Sequence, residues 1–429
     1  MKILRVRFEP FGGIIATDDP PGLFWVDREF LRRRGFDGGP AWTGDPENHR
    51  AALVATAPVE IELALTTRCN LACPCCYTSS GPDGRDVPPR AVARALREAA
   101  GLGVFHVAFG GGEPLLHPAL LELGRLARRL GVLPSLTTNG TLVTASWAGR
   151  AAEVFARVNV SVDVEGGARS PVGPEGRAAW RAVELLRRAG NVTGVNFILT
   201  RRSFPRLPEL FSRSAEAGAE SVLVLRPKPA GRGRLLYPHL RPEPAQLREL
   251  VPRLLDLGSR YGLPFHLDCA LGPLLLRHPG VDRAALGLLG ATGCIAGELL
   301  CTVDAEGSLH PCSHLDMTFG RVGSLRRAWL ESPVLAALRG RARPDSGPCR
   351  ECPSADLCRA GCPAVSLGAG RGLGAPDPDL PCTRLTDGDG PTRVVRRRAR
   401  RSEGGLPVVL RRRRLPGRLV RGQAQTAQR

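Results

Sequence analysis

Three cysteines in the run TTRCNLACPCCY have a spacing suited to an iron–sulfur cluster. Cys69, Cys73 and Cys76 form a Cys-x3-Cys-x2-Cys triplet, which supplies three thiolates to a four-iron cube and leaves one iron open to an external ligand. An open iron is typical of a reactive cluster rather than of an electron carrier. Structural zinc is the alternative, but zinc sites normally close with four ligands. The triplet therefore favours a reactive iron–sulfur site.

A second block of cysteines lies in the last third of the chain. It reads Cys-x12-Gly-x4-Cys, then Cys-x2-Cys-x5-Cys-x3-Cys, then one further cysteine. Its seven members are Cys294, Cys312, Cys349, Cys352, Cys358, Cys362 and Cys382. The first residues, MKILRVRFEPFGG, show no export signal, so we expect a cytoplasmic protein whose clustered cysteines bind metal rather than form disulfides. Zinc could occupy four of these positions, but the neighbouring triplet favours iron.

Short β-branched runs alternate with amphipathic stretches between residues 60 and 227. We predict strands at 60–66, 104–110, 133–139, 157–164, 192–200 and 221–227. We predict helices at 88–100, 117–130, 144–152, 174–189 and 205–217. Repeated strand–helix units of this kind predict an α/β fold in which a parallel sheet closes into a partial (β/α)6 barrel. An open doubly wound sheet is the alternative.

Polar motifs follow the first four predicted strands, at the edge where barrels place their active sites. The cysteine triplet follows the first strand, and the run GGGEP at 110–114 follows the second. The third and fourth strands end on Thr138, Asn139, Ser161 and Asp163. A carboxylate beside bare glycine amides suits a zwitterionic amino-acid group, because Glu113 could bind the ammonium while the glycines allow close approach. Together the four motifs predict a ligand site.

The combination of CNLACPCCY, GGGEPLL, TTNGT and a pattern of six strands resembles the radical S-adenosylmethionine (SAM) enzymes over residues 58–230. The resemblance implies that Cys69, Cys73 and Cys76 hold a 4Fe–4S cluster whose fourth iron binds the methionyl group of SAM. An electron from the cluster would cleave SAM to a 5′-deoxyadenosyl radical. The implied SAM site contains Gly111, Gly112, Glu113, Thr138, Asn139, Ser161 and Asp163. For the last four residues, ordinary hydrogen bonding at strand ends is the alternative.

Cys75 departs from the pattern of that family, which usually has an aromatic residue or a histidine before the third cysteine of the triplet. Its thiol raises the question of which neighbouring cysteine binds iron, and the spacing favours Cys76. We interpret Cys75 as a small apolar residue packed against the cluster. Its backbone carbonyl could still serve the adenine of SAM.

The second cysteine block resembles the SPASM extension of these enzymes, a small cysteine-rich domain with two auxiliary iron–sulfur clusters. The resemblance assigns Cys294, Cys312 and Cys362 to the inner auxiliary cluster. It assigns Cys349, Cys352, Cys358 and Cys382 to the outer auxiliary cluster. Cys301 lies where some members supply a fourth ligand to the inner cluster, and we expect it to bind; otherwise that cluster keeps an open iron. Cys269 matches no family position and is expected to be a core thiol.

The strings CIAGELLC, GSLHPC and GAPDPDLPC resemble the mycofactocin-type peptide maturases of this family. The resemblance implies hydrogen abstraction from a ribosomally made peptide, followed by crosslinking or oxidative decarboxylation. A flavodoxin- or ferredoxin-like protein would supply electrons. Sulfatase-maturing relatives have an aspartate where this chain has Ser313, which weakens that alternative. His310 or His314 could take a proton in its place.

Two other functions remain open from the sequence. A small-molecule enzyme, such as a haem-precursor decarboxylase, shares this architecture and would need an arginine-lined cavity for an acidic substrate. Arg226 and Arg232 could line such a cavity, although Arg232 could equally close the last loop of the barrel. The third class is an iron–sulfur electron carrier or a zinc-stabilised binding module. The open triplet and Glu113 argue against this class, and failure to cleave SAM would support it.

The formal net charge of +19 is concentrated at the C-terminal end. Residues 393–429 contain thirteen arginines and a single acid, Glu403, so we expect 387–429 to be a disordered tail of unknown partner. We expect a radical SAM core at 58–230, a helical linker at 231–290 and a SPASM domain at 291–386. No apolar run is long enough to span a membrane, and no nucleic-acid module is recognisable.

The first 57 residues predict a small β-rich cap. The runs RVRFEP, GGIIAT and GLFWVD indicate a three-stranded sheet with a helix near 28–34. Some peptide-modifying members carry an N-terminal winged-helix domain that binds a leader peptide by adding it to a sheet edge. This segment is short for such a domain and lacks an obvious wing. We therefore favour a structural cap.

Overall fold

The computed structural model describes residues 2–18, 21–42, 55–163, 174–279, 281, 286, 293–341 and 349–381. Two predictions lie outside these residues, namely the ligand role of Cys382 and the disorder of the tail at 387–429. None of the helices in the described ranges combines the length and the apolar character needed to cross a bilayer.

The N-terminal segment forms its own antiparallel sheet, as the sequence predicts. Its elements are β1 (Ile3–Glu9), β2 (Gly12–Asp18), β3 (Pro21–Asp27) and helix α1 (Arg28–Arg33). The buried Arg7 joins this sheet to the rest of the protein. Its guanidinium pairs with Glu9 at 2.7 Å and donates to the carbonyls of Ala57 and Pro58. The cap is thus docked just before the first strand of the central sheet.

Ten strands form the central sheet, in the order β10-β9-β8-β7-β6-β5-β4-β11-β12-β13. They are β4 (Glu60–Thr66), β5 (His106–Gly111), β6 (Leu133–Thr138), β7 (Arg157–Val162), β8 (Thr193–Ile198), β9 (Ser221–Leu225), β10 (Phe265–Leu267), β11 (Leu300–Val303), β12 (Ser308–His310) and β13 (Gly320–Arg321). Each strand from β4 to β10 runs parallel to the next. All six predicted strands are present, and the predicted α/β partial barrel is confirmed.

Helices follow the parallel strands and cover one face of the sheet. They are α2 (Pro89–Gly101), α3 (Leu120–Arg129), α4 (Ala145–Val154), α5 (Pro174–Arg188), α6 (Leu207–Glu216), α7 (Gly233–Leu240) and α8 (Pro244–Tyr261). The cysteine-rich region adds α9 (Leu325–Glu331), α10 (Pro333–Gly340), α11 (Ala355–Cys358) and α12 (Pro363–Gly368). In α2, Val92, Leu96 and Ala99 are buried at the spacing of one helix face. They pack in one apolar core with Ile61 and Leu63 of β4.

The alternation of β4 decides which side chains enter the barrel. Its sequence EIELALT buries Ile61, Leu63 and Leu65 against the helices. Because successive strand residues point to opposite faces, Glu60 and Glu62 lie on the other face, which lines the barrel interior. A charged residue is thus placed inside the barrel by the same period that forms the core.

The segment at 231–290, expected to be a helical linker, contains α7 and α8 and also strand β10. This strand has three residues and pairs in parallel with β9 through Phe265↔Val222 and Leu267↔Val224. Three residues are too few to show a period of two in a sequence. The loop that follows β10 contains Asp268 and Cys269.

The first strand of the cysteine-rich region extends the barrel sheet. β11 pairs in parallel with β4 through Cys301↔Ile61 and Thr302↔Glu62. β12 and β13 then continue the sheet in antiparallel fashion. The auxiliary region is therefore joined to the barrel by main-chain hydrogen bonds, next to the strand that leads into the cysteine triplet.

Candidate active site

The loop after β4 holds the cysteine triplet and is anchored to its surroundings on two sides. Arg68 forms an ion pair with Asp86 at 2.6 Å. Arg232, just before α7, donates to the carbonyls of Cys73 at 3.0 Å and Ser80 at 2.8 Å. The guanidinium therefore ties the segment before α7 to the cysteine loop. Such anchoring holds the thiols in place before any ligand arrives.

The three thiols of the triplet lie near enough to influence one another. The pKa of Cys69 is raised, mainly by burial, while a hydrogen bond from the Leu71 amide at 3.4 Å opposes the shift. Negative charge on Glu113, Cys73 or Cys76 would raise the pKa of Cys69 further. Three neighbouring thiolates need a compensating cation, and metal ligation requires the thiolate form. The residues present fit an iron–sulfur group.

Cys76 belongs with this set through both its backbone and its side chain. Its amide donates to the Cys73 carbonyl at 3.2 Å, and its sulfur lies 3.3 Å from the Thr78 hydroxyl. The backbone of Cys75 packs against Gly233, where an added Cβ would lie 2.9 Å from the Cys75 carbonyl oxygen. The choice between Cys75 and Cys76 as iron ligand stays a prediction in favour of Cys76.

No three His, Cys, Asp or Glu side chains within the described ranges are close enough to hold a single metal ion. Tetrahedral zinc with Zn–S bonds of about 2.3 Å needs sulfurs about 3.8 Å apart. A four-iron cube holds its thiolates at separate corners and so accepts more widely spaced ligands.

The glycines of the GGGEP motif allow two backbone segments to approach each other. Gly111 has φ +120°, and a Cβ on Gly112 would overlap the carbonyl of Arg68. The Gly112 amide donates to the Thr66 carbonyl at 2.7 Å, and the Glu113 amide donates to the Arg68 carbonyl at 2.8 Å. The motif is thus packed against the start of the cysteine loop. Its proposed contact with SAM stays a prediction.

Glu113 connects the ends of β5 and β6. Its carboxylate is buried, accepts from the Thr138 hydroxyl at 2.7 Å and accepts from the Asn139 amide at 2.8 Å. Asn139 in turn donates to Asn70 at 3.0 Å and reaches the Cys69 sulfur at 3.9 Å. The carboxylate therefore orders the strand ends beside the triplet.

A cavity of 310 Å³ opens beside the cysteine loop. Its wall includes Cys73, Asn139, Ser161 and Asp163, together with Ala179 of α5. Three of the four strand-end residues predicted for SAM binding thus share one cavity with a member of the triplet. Thr138, the fourth, is buried and bonded to Glu113. The volume lies in the range of small-molecule sites.

The cysteines assigned to the inner auxiliary cluster come together, with one exception. Cys294 and Cys362 are buried in one apolar cluster, and Cys312 packs against it. Cys301 lies instead in the main core between the sheet and its helices. Cys269, expected to be a core thiol, shares a hydrogen bond with Cys294. This bond and the nearby Arg341 and Arg359 lower the pKa of Cys294 despite its burial.

The cysteines assigned to the outer cluster lie on the adjoining segment. Cys349, Cys352 and Cys358 lie in and just before α11, and the Cys352 amide donates to the Cys349 carbonyl at 3.3 Å. The two blocks interleave, because the Gly293 amide donates to Leu357 and Arg359 donates to the Cys294 carbonyl. The early and late cysteine segments are therefore in direct contact.

The two candidate histidines have different environments. His310 forms a 2.9 Å hydrogen bond with Asp304 on the same hairpin, which raises the pKa of His310. Burial and the charge of Lys228 hold the pKa of His314 well below its ordinary value. The neutral His314 ring stacks on Tyr77, with centroids 4.5 Å apart. His314 therefore joins the triplet loop to the auxiliary hairpin, while His310 supports the hairpin.

Three charged residues in the interior were missed by sequence reasoning. Desolvation raises the pKa of Glu62, although its carboxylate is hydrogen-bonded by Ser313 and by Thr302 at 2.8 Å. Lys228 pairs with Asp268 at 2.7 Å. The signal for Glu62 was available in the alternation of β4. Asp268 follows a strand too short to recognise, so its site could not be predicted.

Arg226, the other candidate for an acidic substrate, is fully buried in an ion-pair network. It pairs with Asp377 at 2.7 Å and with Asp379 at 3.0 Å. The Asp377 carboxylate also accepts from the Cys362 amide at 3.1 Å. Arg226 therefore attaches the late cysteine segment to the end of β9. The guanidinium groups of Arg226 and Arg232 thus both bind groups of the protein itself.

Comparison with known proteins identifies the family of this chain. Residues 63–202 match the Radical SAM superfamily. Mycofactocin maturase MftC of Mycolicibacterium smegmatis is 32% identical over 342 residues, covering 75% of this chain and 82% of that protein. Pre-heme d1 synthase of Dinoroseobacter shibae is 31% identical over 322 residues, covering 68% of this chain and 79% of that protein.

The fold is also found among solved structures. Streptococcus suis SuiB bound to S-adenosylmethionine matches with a TM-score of 0.67 at 17% identity, covering 87% of this chain and 97% of that chain. SuiB bound to its precursor peptide SuiA matches with a TM-score of 0.66 at 18% identity, with the same coverage. The cysteine-rich C-terminal region is consistent with a SPASM domain. The chain therefore belongs to the radical SAM superfamily of enzymes and is a homologue of the mycofactocin maturases.

Proposed function

We propose that this enzyme is a peptide maturase that uses SAM to abstract hydrogen from a ribosomally made peptide. The peptide is then crosslinked or oxidatively decarboxylated. One contact is the main structural support for this function: Tyr77, next to Cys76, stacks on His314, two residues after Cys312. The contact brings the SAM-cluster loop and the inner auxiliary cysteines together. An oxidative reaction needs an acceptor for the electron left on its substrate, and an auxiliary cluster close to the SAM cluster would be such an acceptor.

In this proposal Cys69, Cys73 and Cys76 hold a 4Fe–4S cluster that, when bound, supplies the electron for cleavage of SAM to a 5′-deoxyadenosyl radical. The cavity beside Cys73 receives SAM, and its walls position SAM next to the triplet. Asn139, Ser161 and Asp163 contact the carboxylate and ribose of SAM. Gly111, Gly112 and Glu113 bind the amine end.

The auxiliary region holds two further clusters in this proposal. Cys294, Cys312 and Cys362 belong to the inner one. Cys349, Cys352, Cys358 and Cys382 belong to the outer one. The interleaved segments support two neighbouring sites, because the Cys294 carbonyl accepts from Arg359, directly after Cys358. A flavodoxin- or ferredoxin-like protein reduces the enzyme.

Two observations favour a peptide over an acidic small molecule. Arg226 and Arg232, which could have bound carboxylates of a haem precursor, are used by Asp377 and by backbone carbonyls. PqqA peptide cyclase is a relative whose name refers to a peptide, and SuiB, which has a similar fold, is known bound to a precursor peptide. Pre-heme d1 synthase represents the alternative substrate class among the relatives.

The test is anaerobic co-expression of the enzyme with any short peptide encoded beside it. We expect the peptide to lose hydrogen atoms or carbon dioxide, as read from its intact mass. The variant in which Cys69, Cys73 and Cys76 are replaced by alanine should leave the peptide unchanged. Cys75→Ala is the matched control, and it should retain activity because Cys75 is not assigned to iron.

Two results would redirect the proposal. An unmodified peptide, with 5′-deoxyadenosine still formed from SAM, would overturn the peptide assignment and indicate a small-molecule substrate. Loss of activity in Cys75→Ala, with activity retained in Cys76→Ala, would exchange the two residues as ligands. If the protein forms no 5′-deoxyadenosine from SAM, with or without the peptide, the result would support an electron carrier or a binding module instead.

A further inference from the structure

A fourth thiol lies among the three cysteines of the inner auxiliary site. Cys269 and Cys294 share a hydrogen bond between their side chains. Cys294 in turn lies close enough to Cys312 and Cys362 for their charges to interact. Ala270, the residue after Cys269, is buried in the same apolar cluster as Cys294 and Cys362. Four cysteines from four separate segments therefore converge on one place.

The backbone around Cys269 is held by its neighbour Asp268. One Asp268 carboxylate oxygen accepts from the Ala270 amide at 2.8 Å and from the Leu271 amide at 3.1 Å. The other accepts from the Arg226 amide at 2.9 Å and from the Lys228 ammonium at 2.7 Å. The turn after β10 is thus tied to the end of β9, and the position of Cys269 is set by these bonds. A preorganised thiol of this kind is suited to metal ligation.

A buried cation accompanies the four thiols. The Lys228 side chain is only 7% exposed and interacts with the charges of both Cys269 and Cys362. A cluster with four thiolate ligands carries a net negative charge, and a buried negative charge needs a nearby cation. Lys228, whose partner Asp268 directly precedes Cys269, supplies it. The charge distribution therefore suits thiolate ligands on both the β10 turn and the late segment.

Cys301 lies on the other face of the sheet. Thr302 points into the barrel and donates to Glu62, and Glu62 accepts from Ser313, next to Cys312. Because adjacent strand residues point to opposite faces, Cys301 points away from Cys312 and towards the helices. It is fully buried in the main core, and its charged neighbours are Glu62 of β4 and Glu98 of α2. To reach the inner site, Cys301 would have to pass through the sheet.

We propose that Cys269, and not Cys301, supplies the fourth thiolate of the inner auxiliary cluster. The inference rests on the proposed presence of that cluster. Cys269 gives up its proton on binding, as thiol ligands do. With Cys294, Cys312 and Cys362 it completes four-cysteine ligation. The inner cluster then has no open iron, so it transfers electrons and does not bind the peptide directly.

The experiment uses the full chain with Cys69, Cys73 and Cys76 replaced by alanine, which removes the SAM cluster and leaves only auxiliary signals. This parent should bind about eight irons and eight sulfides per chain when reconstituted anaerobically, as two four-iron clusters require. Cys269→Ala, Cys301→Ala and Cys294→Ala are then added singly. Each protein is reduced, and its electron paramagnetic resonance spectrum is recorded with and without cyanide, a ligand for an open iron.

We expect the parent and Cys301→Ala to give the same spectrum, with no response to cyanide. Cys269→Ala and Cys294→Ala should show shifted g-values that respond to cyanide, or should lose up to four irons while keeping their circular dichroism. An unchanged spectrum for Cys269→Ala would overturn the inference. A cyanide response of Cys301→Ala, or of the parent itself, would also overturn it.

The Cys301→Ala result stands even if Cys269→Ala does not fold, because a cluster that remains closed without Cys301 needs another fourth ligand. Cys269→Ser, which keeps a smaller polar atom at the position, provides a second comparison. The failure of the proposed auxiliary clusters is distinguishable, since the parent would then bind no iron. If the parent binds eight irons and Cys269→Ala leaves the spectrum and the iron content unchanged, only the assignment of Cys269 is refuted, and the auxiliary clusters stand.

Discussion

The ring of Tyr77 stacks on the ring of His314 with 4.5 Å between centroids and 23° between ring planes. Tyr77 directly follows the last cysteine of the triplet, and His314 lies two residues beyond Cys312. A stack of this kind contributes about 0.5–1.5 kcal/mol beyond its buried area. Its larger role is to fix positions, because it joins the loop of the cysteine triplet to the hairpin that contains Cys312.

Replacing Tyr77 by alanine should separate the two half-reactions. We expect 5′-deoxyadenosine formation to persist, while modified peptide per deoxyadenosine falls roughly tenfold or more, since small misplacements in a site cost up to about 100-fold. Tyr77→Phe keeps the ring and should behave as the native enzyme. The measurement is the ratio of the two products by mass spectrometry. An unchanged ratio in Tyr77→Ala would show that the stack does not position the peptide step.

Glu113→Gln should weaken SAM binding. The native carboxylate accepts from Thr138 and Asn139, and an amide replaces one acceptor oxygen by a donor that faces these groups. Loss of a charge-assisted hydrogen bond costs about 1.5–3 kcal/mol, which is roughly tenfold or more in affinity. The dissociation constant of SAM is measured by equilibrium binding to the reconstituted enzyme. Glu122→Gln on the exposed side of α3 is the control, and equal affinities for both variants would contradict the prediction.

Gly112→Ala should distort the cysteine loop. The added Cβ would overlap the Arg68 carbonyl, and because this neighbour is backbone, the overlap is relieved only by moving the chain that leads to Cys69. We expect a loss of about 1–3 kcal/mol in stability, together with reduced iron in the SAM site. Gly149→Ala, in the open on helix α4, should instead stabilise by about 0.5–1 kcal/mol.

Thermal unfolding and iron content of the two alanine variants provide the measurement. If Gly112→Ala and Gly149→Ala unfold at the same temperature and bind equal iron, then the close approach of Gly112 to Arg68 does not affect stability or iron binding.

Arg226→Met should strongly destabilise the protein. The change removes the cation from between Asp377 and Asp379, and both partners of the Arg226–Asp377 pair are fully buried. Breaking a buried ion pair in this way costs about 3–5 kcal/mol, because the remaining charge has no partner. Urea unfolding measures the loss. Arg188→Met breaks the exposed pair with Glu184 and should cost less than about 0.5 kcal/mol, so similar losses for both would refute the role given to burial.

Local sequence was sufficient for the barrel. The six predicted strands and five predicted helices alternate closely along the chain, so their periods appear without long-range information. The strand SVLVL of β9 and the helix PRAVARALREAAG of α2 are examples. The polar motifs at the strand ends could be placed on one edge for the same reason. Strand β10 was not predicted, because three residues are too few to show a period of two.

The spacing of the cysteines in the sequence was enough to recognise the family, the triplet and the second block of cysteines. Only the tertiary structure decided which thiols meet, because that depends on strand pairing between distant segments. The pairing of β11 with β4 turns Cys301 towards the helices, and the turn after β10 brings Cys269 to Cys294. Likewise, no local pattern relates Arg226 to Asp377. A metal ligand set depends on the direction of each side chain, and tertiary contacts decide that direction where sequence spacing alone does not.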